Sequence, residues 1–129
     1  MLTTLLAQPK KLVALDNSVE APVVEKTYTK DELKLKVYHY ANVYGVSAET
    51  MISVINCENT EWDTKLQSRI INKAGVREDS WGLSQIHLPS WKNITKEQAT
   101  DPDFSLDFMA RKLSEGKGNL WTCWRKQNP

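Results

Sequence analysis

One stretch constrains the fold more than any other: Met51-Ile-Ser-Val-Ile-Asn-Cys-Glu58. Met51, Val54, Ile55 and Glu58 fall at i, i+3, i+4 and i+7, which is one face of a helix. The spacing predicts a short core helix that carries a carboxylate at its C-terminal end, on the edge of apolar packing. Loss of water there favours the protonated acid and raises its pKa. The negative field at a helix C-terminus acts in the same direction. A carboxyl that keeps its proton near neutral pH is suited to general-acid work, whereas a surface Glu near a helix end is the plain alternative.

Cys57 immediately precedes that Glu, and Cys123 lies 66 positions further on. This is not metal-ligand spacing, and the histidines, His39 and His87, complete no cluster, so no metal or cofactor is expected. A disulfide would tie the Glu58 helix to the C-terminal segment and stabilise the fold by roughly 4 kcal/mol in the chain-entropy model. Two buried free thiols are the alternative. We read a disulfide, and with it an oxidising compartment.

Charge narrows the partners. Lys plus Arg is 17, Asp plus Glu is 16 and the net charge is +1, which gives no bulk electrostatic case for nucleic acid or anionic membranes. No apolar run approaches the ~18 residues of a membrane span. The 129 residues, 40% of them hydrophobic and five of them Trp, suffice for one core, and a monomer is expected.

Residues 1–27 read as a tail or linker. Met1-Leu-Thr-Thr-Leu-Leu-Ala7 is apolar but short for a secretory segment, and its charges follow it, so a truncated leader or an irregular start both fit. The domain is expected over 28–129. Thr29-Lys-Asp-Glu32 is a capping-box pattern, followed by Leu33, Val37, Tyr40, Ala41 and Tyr44 at helical spacing and then Gly45. Ser47 is placed to cap the Glu58 helix. Residues 59–80 read as a long loop with a short hairpin or extended piece. A helical turn is expected over Leu83–Ile86. Thr95-Lys-Glu-Gln98 repeats the capping-box pattern, a longer helix is expected over Pro102–Glu115 before Gly116, and a last short helix over Asn119–Lys126. The expectation is a mostly α domain of short helices around a cleft.

Four segments together resemble the lysozyme-like lytic transglycosylase family, the soluble lytic transglycosylase catalytic domain, over about residues 37–124. Tyr44-Gly-Val-Ser47 is similar to the turn before that family's catalytic helix, and Val54-Ile-Asn-Cys-Glu58 to the helix and its terminal Glu. Ser80-Trp-Gly-Leu-Ser-Gln-Ile86 resembles the Gly-Leu-x-Gln-Ile motif of the sugar cleft, and Asp101-Pro102 the segment packed behind it. The chain departs from the pattern in three ways. Asn59 stands where the family has Ser, Thr60 or Glu61 reads as an insertion before Trp62, and Trp121-Thr-Cys-Trp124 replaces an Ala-Tyr-Asn motif. Helical register favours Glu58 over Glu61 as the acid.

The resemblance implies a lysozyme-like domain with a glycan-binding cleft. It implies cleavage of β-1,4 bonds between N-acetylmuramic acid and N-acetylglucosamine in peptidoglycan, with Glu58 as general acid and then base. Ser80, Trp81, Gly82, Gln85 and Trp62 are the expected substrate-binding residues, with Trp91 a further stacking candidate, while His87 reads as polar surface. Among Asp63, Glu78 and Asp79, Asp79 is the expected second carboxylate, if one takes part; the single-Glu route to a 1,6-anhydro product is favoured over hydrolysis. Chitin-type glycans stay open as substrates. The location implied is extracellular, in the cell envelope (periplasmic), or on a phage. Two other classes compete. One is a catalytically inactive lysozyme-like glycan-binding module. The other is a helix-turn-helix over Tyr40–Asn56, against which stands the lack of Lys or Arg from Ala48 to Glu58.

Overall fold

The computed structural model describes residues 25–129, so the expected tail lies outside the described residues except for 25–27, which have no regular secondary structure and are exposed. The fold is mostly α. Its elements are α1 (Lys30–Tyr44), α2 (Ala48–Glu58), β1 (Ser80–Trp81), β2 (Ile86–His87), a 3-10 turn (Leu88–Ser90), α3 (Lys96–Ala99), α4 (Pro102–Ser114), a second 3-10 turn (Gly118–Leu120) and α5 (Thr122–Gln127). No helix among the described residues is long and apolar enough to cross a membrane.

Both capping boxes form. The Thr29 hydroxyl accepts the Glu32 N–H while Glu32 accepts the Thr29 N–H, and Thr95 and Gln98 repeat the exchange. Gly45 closes α1 at φ 69°, a left-handed position that glycine takes without strain. Helix α1 buries Leu33, Val37 and Ala41 against α2 and α4. Along its flank the Tyr40 hydroxyl donates to Asp103 at 2.9 Å and the Tyr44 hydroxyl to Asp107 at 2.7 Å. A step of four on α1 matches a step of four on α4, so the two helices run side by side in the same sense.

Helix α2 buries Met51, Val54 and Ile55 completely, and Leu83, Ile86, Leu106 and Met109 close the core around them. The disulfide joins Cys57 to Cys123 with Cα atoms 6.0 Å apart and fastens α5 to the end of α2.

Two expected elements take another form. Leu83–Ile86 is not a helical turn. Gly82 to Gln85 is the reversing loop of an antiparallel hairpin in which Ser80 pairs with His87 and Trp81 with Ile86. Gly82 at φ 85° and Gln85 at φ 53° turn the chain back on itself. Asn119–Lys126 is not one helix either. The chain is extended at Trp121 (ψ 127°), which separates the 3-10 turn from α5. The Trp121 indole N–H donates to the Ser84 carbonyl at 2.6 Å, a buried bond that fixes the break. The extended piece expected within 59–80 is present as isolated bridges, Gln67 with Trp81 and Ile71 with Arg77.

Candidate active site

Glu58 ends α2 and borders a cavity of about 560 Å³. The same cavity is lined by Ser80 and Gln85 from the hairpin, so the expected acid and two of the expected binding residues face one space. Glu58 is half-buried, and its Oε2 accepts the backbone N–H of Cys123 at 3.1 Å. That N–H belongs to the first turn of α5, whose N-cap, Trp121, offers no side-chain bond. The carboxylate thus serves an otherwise orphan helix donor. No described residue donates to Oε1.

Burial holds the Glu58 carboxyl above the usual carboxylate range. The Cys123 N–H opposes that shift, the negative charge of Glu78 adds to it, and Arg125 and Lys126 oppose it. The net direction is the one a general acid requires.

Asn59 is 1% exposed and acts as a clamp. Its Nδ2 donates to the carbonyls of Asp63 (2.8 Å) and Gly82 (3.2 Å), and its Oδ1 accepts the Asp63 N–H. The end of the acid-bearing helix is therefore bonded to the hairpin. Gln85 adds to this joint, since its Nε2 donates to Leu66 and to Gly82. With its nitrogen committed, Gln85 has its oxygen left for a ligand. Ser84 is wholly buried and bonds to Ser105 of α4 through hydroxyl and backbone, which seats the hairpin on the core.

The apolar wall of the cavity is aromatic. Trp91, Phe108 and Trp121 meet edge to face, with centroids 5.3 and 6.3 Å apart. The buried Lys112 places its ammonium 4.7 Å from the Trp91 ring centre and pairs with Glu115 at 3.3 Å.

The remaining expected site residues lie elsewhere. Trp62 is 4% exposed, its indole N–H donates to Asn56 at 2.7 Å, and it packs into the core rather than lining the cavity. Trp81 and Asp79 are also outside the lining residues. They are bonded to each other at 2.6 Å, with Lys96 4.6 Å over the Trp81 ring. Gly82 is not at the cavity surface; its function is close packing, because a Cβ there would overlap the Ala99 carbonyl. Trp91 does line the cavity, and so does His87, whose Nδ1 lies 3.5 Å from Ser80 Oγ.

The carboxylate that shares the cavity with Glu58 is Glu78, not Asp79. A signal for this was present in the sequence. In an extended chain alternate residues share a face. Glu78 therefore goes with Ser80, while Asp79 goes with Trp81. Trp121, Arg125 and Lys126 also line the cavity and were not expected there. Only the disulfide, by bringing α5 to α2, pointed to them.

Helix α2 is unlike a DNA-reading helix in this setting. Its sequence lacks Lys and Arg, and on its outer side Ser53 donates to Gln127 at 3.0 Å. Comparisons with protein-family models, with curated proteins and with solved structures give no match for this chain.

Proposed function

We propose that the chain is a lysozyme-like enzyme that cleaves the β-1,4 bonds between N-acetylmuramic acid and N-acetylglucosamine in peptidoglycan, as a lytic transglycosylase or muramidase. The observation that carries this reading is the half-buried Glu58 carboxyl, its pKa raised, opening on a cavity shared with Ser80, Gln85 and an aromatic wall. Glu58 Oε1 gives its proton to the leaving glycosidic oxygen. The sugar passes through an oxocarbenium-like state, which its own acetamido group stabilises. Ionised Glu58 then acts as base. In the transglycosylase route it takes the proton of the sugar's 6-hydroxyl, which closes a 1,6-anhydro ring.

Trp91, which is only partly buried, supplies flat apolar surface of the kind sugar rings pack against, and the Gln85 oxygen supplies an acceptor. No tyrosine lines the cavity; the Cys123 N–H holds the acid in its place. The protein acts as a monomer outside the reducing cytosol, in the cell envelope, in the extracellular space or on a phage. Hydrolysis is the second route, and Glu78 favours it, because a carboxylate in the same cavity can take a proton from water.

Clearing of a cell-wall suspension tests the activity. Wild type should clear it, and Glu58→Gln with intact helical signal should lose about 10²–10⁴-fold of the rate. Equal clearing by the variant, or binding to walls without clearing by wild type, defeats the assignment, the latter in favour of a glycan-binding module. Mass spectrometry of the fragments separates anhydro from hydrolysed ends, and parallel digestion of chitin oligomers checks the sugar preference.

A further inference from the structure

We propose that the Cys57–Cys123 disulfide is a positioning device for Glu58: closed, it holds the acid in the cavity wall, and open, it leaves a folded but inactive enzyme. The inference rests on the role of Glu58 proposed above.

The crosslink lies at both attachments of the carboxylate. Cys57 is the residue before Glu58, and Cys123 is the residue whose N–H binds Glu58 Oε2. Both cysteines also line the cavity, beside Thr122. Beyond the disulfide, helix α5 is held at its surface side by Trp124, packed on Gly118 at the edge of the core, and by Arg125, which donates to the Asn119 carbonyl. It is six residues long, it lacks a side-chain cap, and Cys123 is its one buried residue. A helix of that length does not persist on its own. Its other hydrogen bonds to α2 are exposed ones between Ser53 and Gln127, at 3.0 and 3.4 Å.

The rest of the core does not depend on α5. The buried stripes of α1, α2 and α4 pack on one another, and Trp121 is anchored separately through Ser84. Opening the disulfide therefore removes the covalent tie between α5 and α2, lets α5 shift with the turn that Trp124 packs on, and leaves the helical body in place. Glu58 then loses its N–H partner and the wall that shields it from water. A displacement of about 1 Å at a catalytic group is enough for a loss of about 100-fold.

Cys57 is an exposed residue whereas Cys123 is buried, so thiolate attack is expected from the Cys57 side. A dithiol supplies two electrons and two protons. The S–S bond breaks to two thiols, and the dithiol leaves as its own cyclic disulfide. In a reducing compartment the chain is thus latent, and it becomes competent on reaching an oxidising one. For an enzyme that cuts cell wall, this confines the chemistry to the far side of the membrane.

The test compares the full chain before and after dithiothreitol, by circular dichroism, by wall clearing and by carbon-13 NMR titration of the Glu58 carboxyl. Reduction should keep most of the helical signal and lower clearing about 100-fold, with recovery on reoxidation. It should also move the Glu58 titration down to the ordinary carboxylate range. The Cys57→Ala/Cys123→Ala pair should behave as the reduced chain without any dithiol. Clearing at the oxidised rate by reduced, folded protein overturns the proposal. So does loss of the helical signal on reduction, since the bond would then hold the whole fold. If oxidised protein clears no walls, it is the enzymatic reading that fails. The titration then decides the positioning role alone, and an unshifted carboxyl on reduction rejects it.

Discussion

The side-chain amide of Asn59 donates to the Gly82 carbonyl at 3.2 Å, and this buried bond joins the helix that carries Glu58 to the hairpin that carries Ser80 and Gln85. Truncation at Asn59 strips partners from the Asp63 N–H and from two carbonyls at once. Asn59→Ala should destabilise the fold by about 2 kcal/mol, read from the urea midpoint at unchanged slope. Asn59→Ser, which keeps one hydroxyl, should recover part of the loss. No change in either variant would show that the clamp is replaced by water.

Glu58 sits where its charged form is disfavoured, and this has a consequence for stability as well as for chemistry. Its folded pKa is raised, so the protonated form is favoured by folding. The contribution to stability is full below the unfolded pKa and is lost as pH rises through the folded one. Glu58→Gln should therefore melt higher than wild type at pH 7, with the gap closing as pH falls below the carboxylate range. A lower melting temperature at pH 7 would contradict the burial argument.

The negative charge of Glu78 contributes to that shift, after burial itself. Glu78→Gln should lower the Glu58 pKa and move the alkaline limb of the activity profile toward acid. If Glu78 also takes the proton of an attacking water, the variant should lose hydrolysed ends selectively in the fragment spectrum. An unmoved limb would mean that the two carboxylates do not sense each other.

Tyr40 tests the joint between α1 and α4. Its hydroxyl is pushed up to about 12, by burial first and then by its bond to Asp103. A raised folded pKa means stability is intact below the unfolded value, about 10, and is lost as pH climbs from there toward 12. Alkaline unfolding of wild type should steepen in that window, and Tyr40→Phe should flatten it. Identical curves would place the alkaline weakness elsewhere.

Gly82 meets the Ala99 carbonyl so closely that a Cβ has no room, and its φ of 85° disfavours any other residue. Gly82→Ala should destabilise by about 3 kcal/mol or more, through strain and overlap together. Thermal melts should show the loss, and a neutral outcome would mean that α3 moves aside without penalty.

Much of this structure was legible because local chemistry decided it. Thr29 with Glu32, Thr95 with Gln98 and Gly45 each act within a few residues of themselves, and the Met51–Glu58 stripe needs only a helix and a core. The misread elements were decided by distant partners. Leu83 and Ile86 sit three apart and are both buried, as in a helix, yet Gly82 and Gln85 in left-handed conformations turn the chain back there. Trp121 breaks the last helix because Ser84 accepts its indole N–H from 37 positions away. Trp62 was expected at the cleft, but its indole N–H finds Asn56 on the preceding helix and draws the ring inward.

The close seating of Gly82 on Ala99 also reaches beyond its own position. Helix α3 is four residues long and is held by the Thr95–Gln98 exchange, and none of its residues lines the cavity. Any shift of that small helix is passed straight to the hairpin, since nothing compressible lies between them. The depth of the groove is thus set by an element that forms no part of its lining.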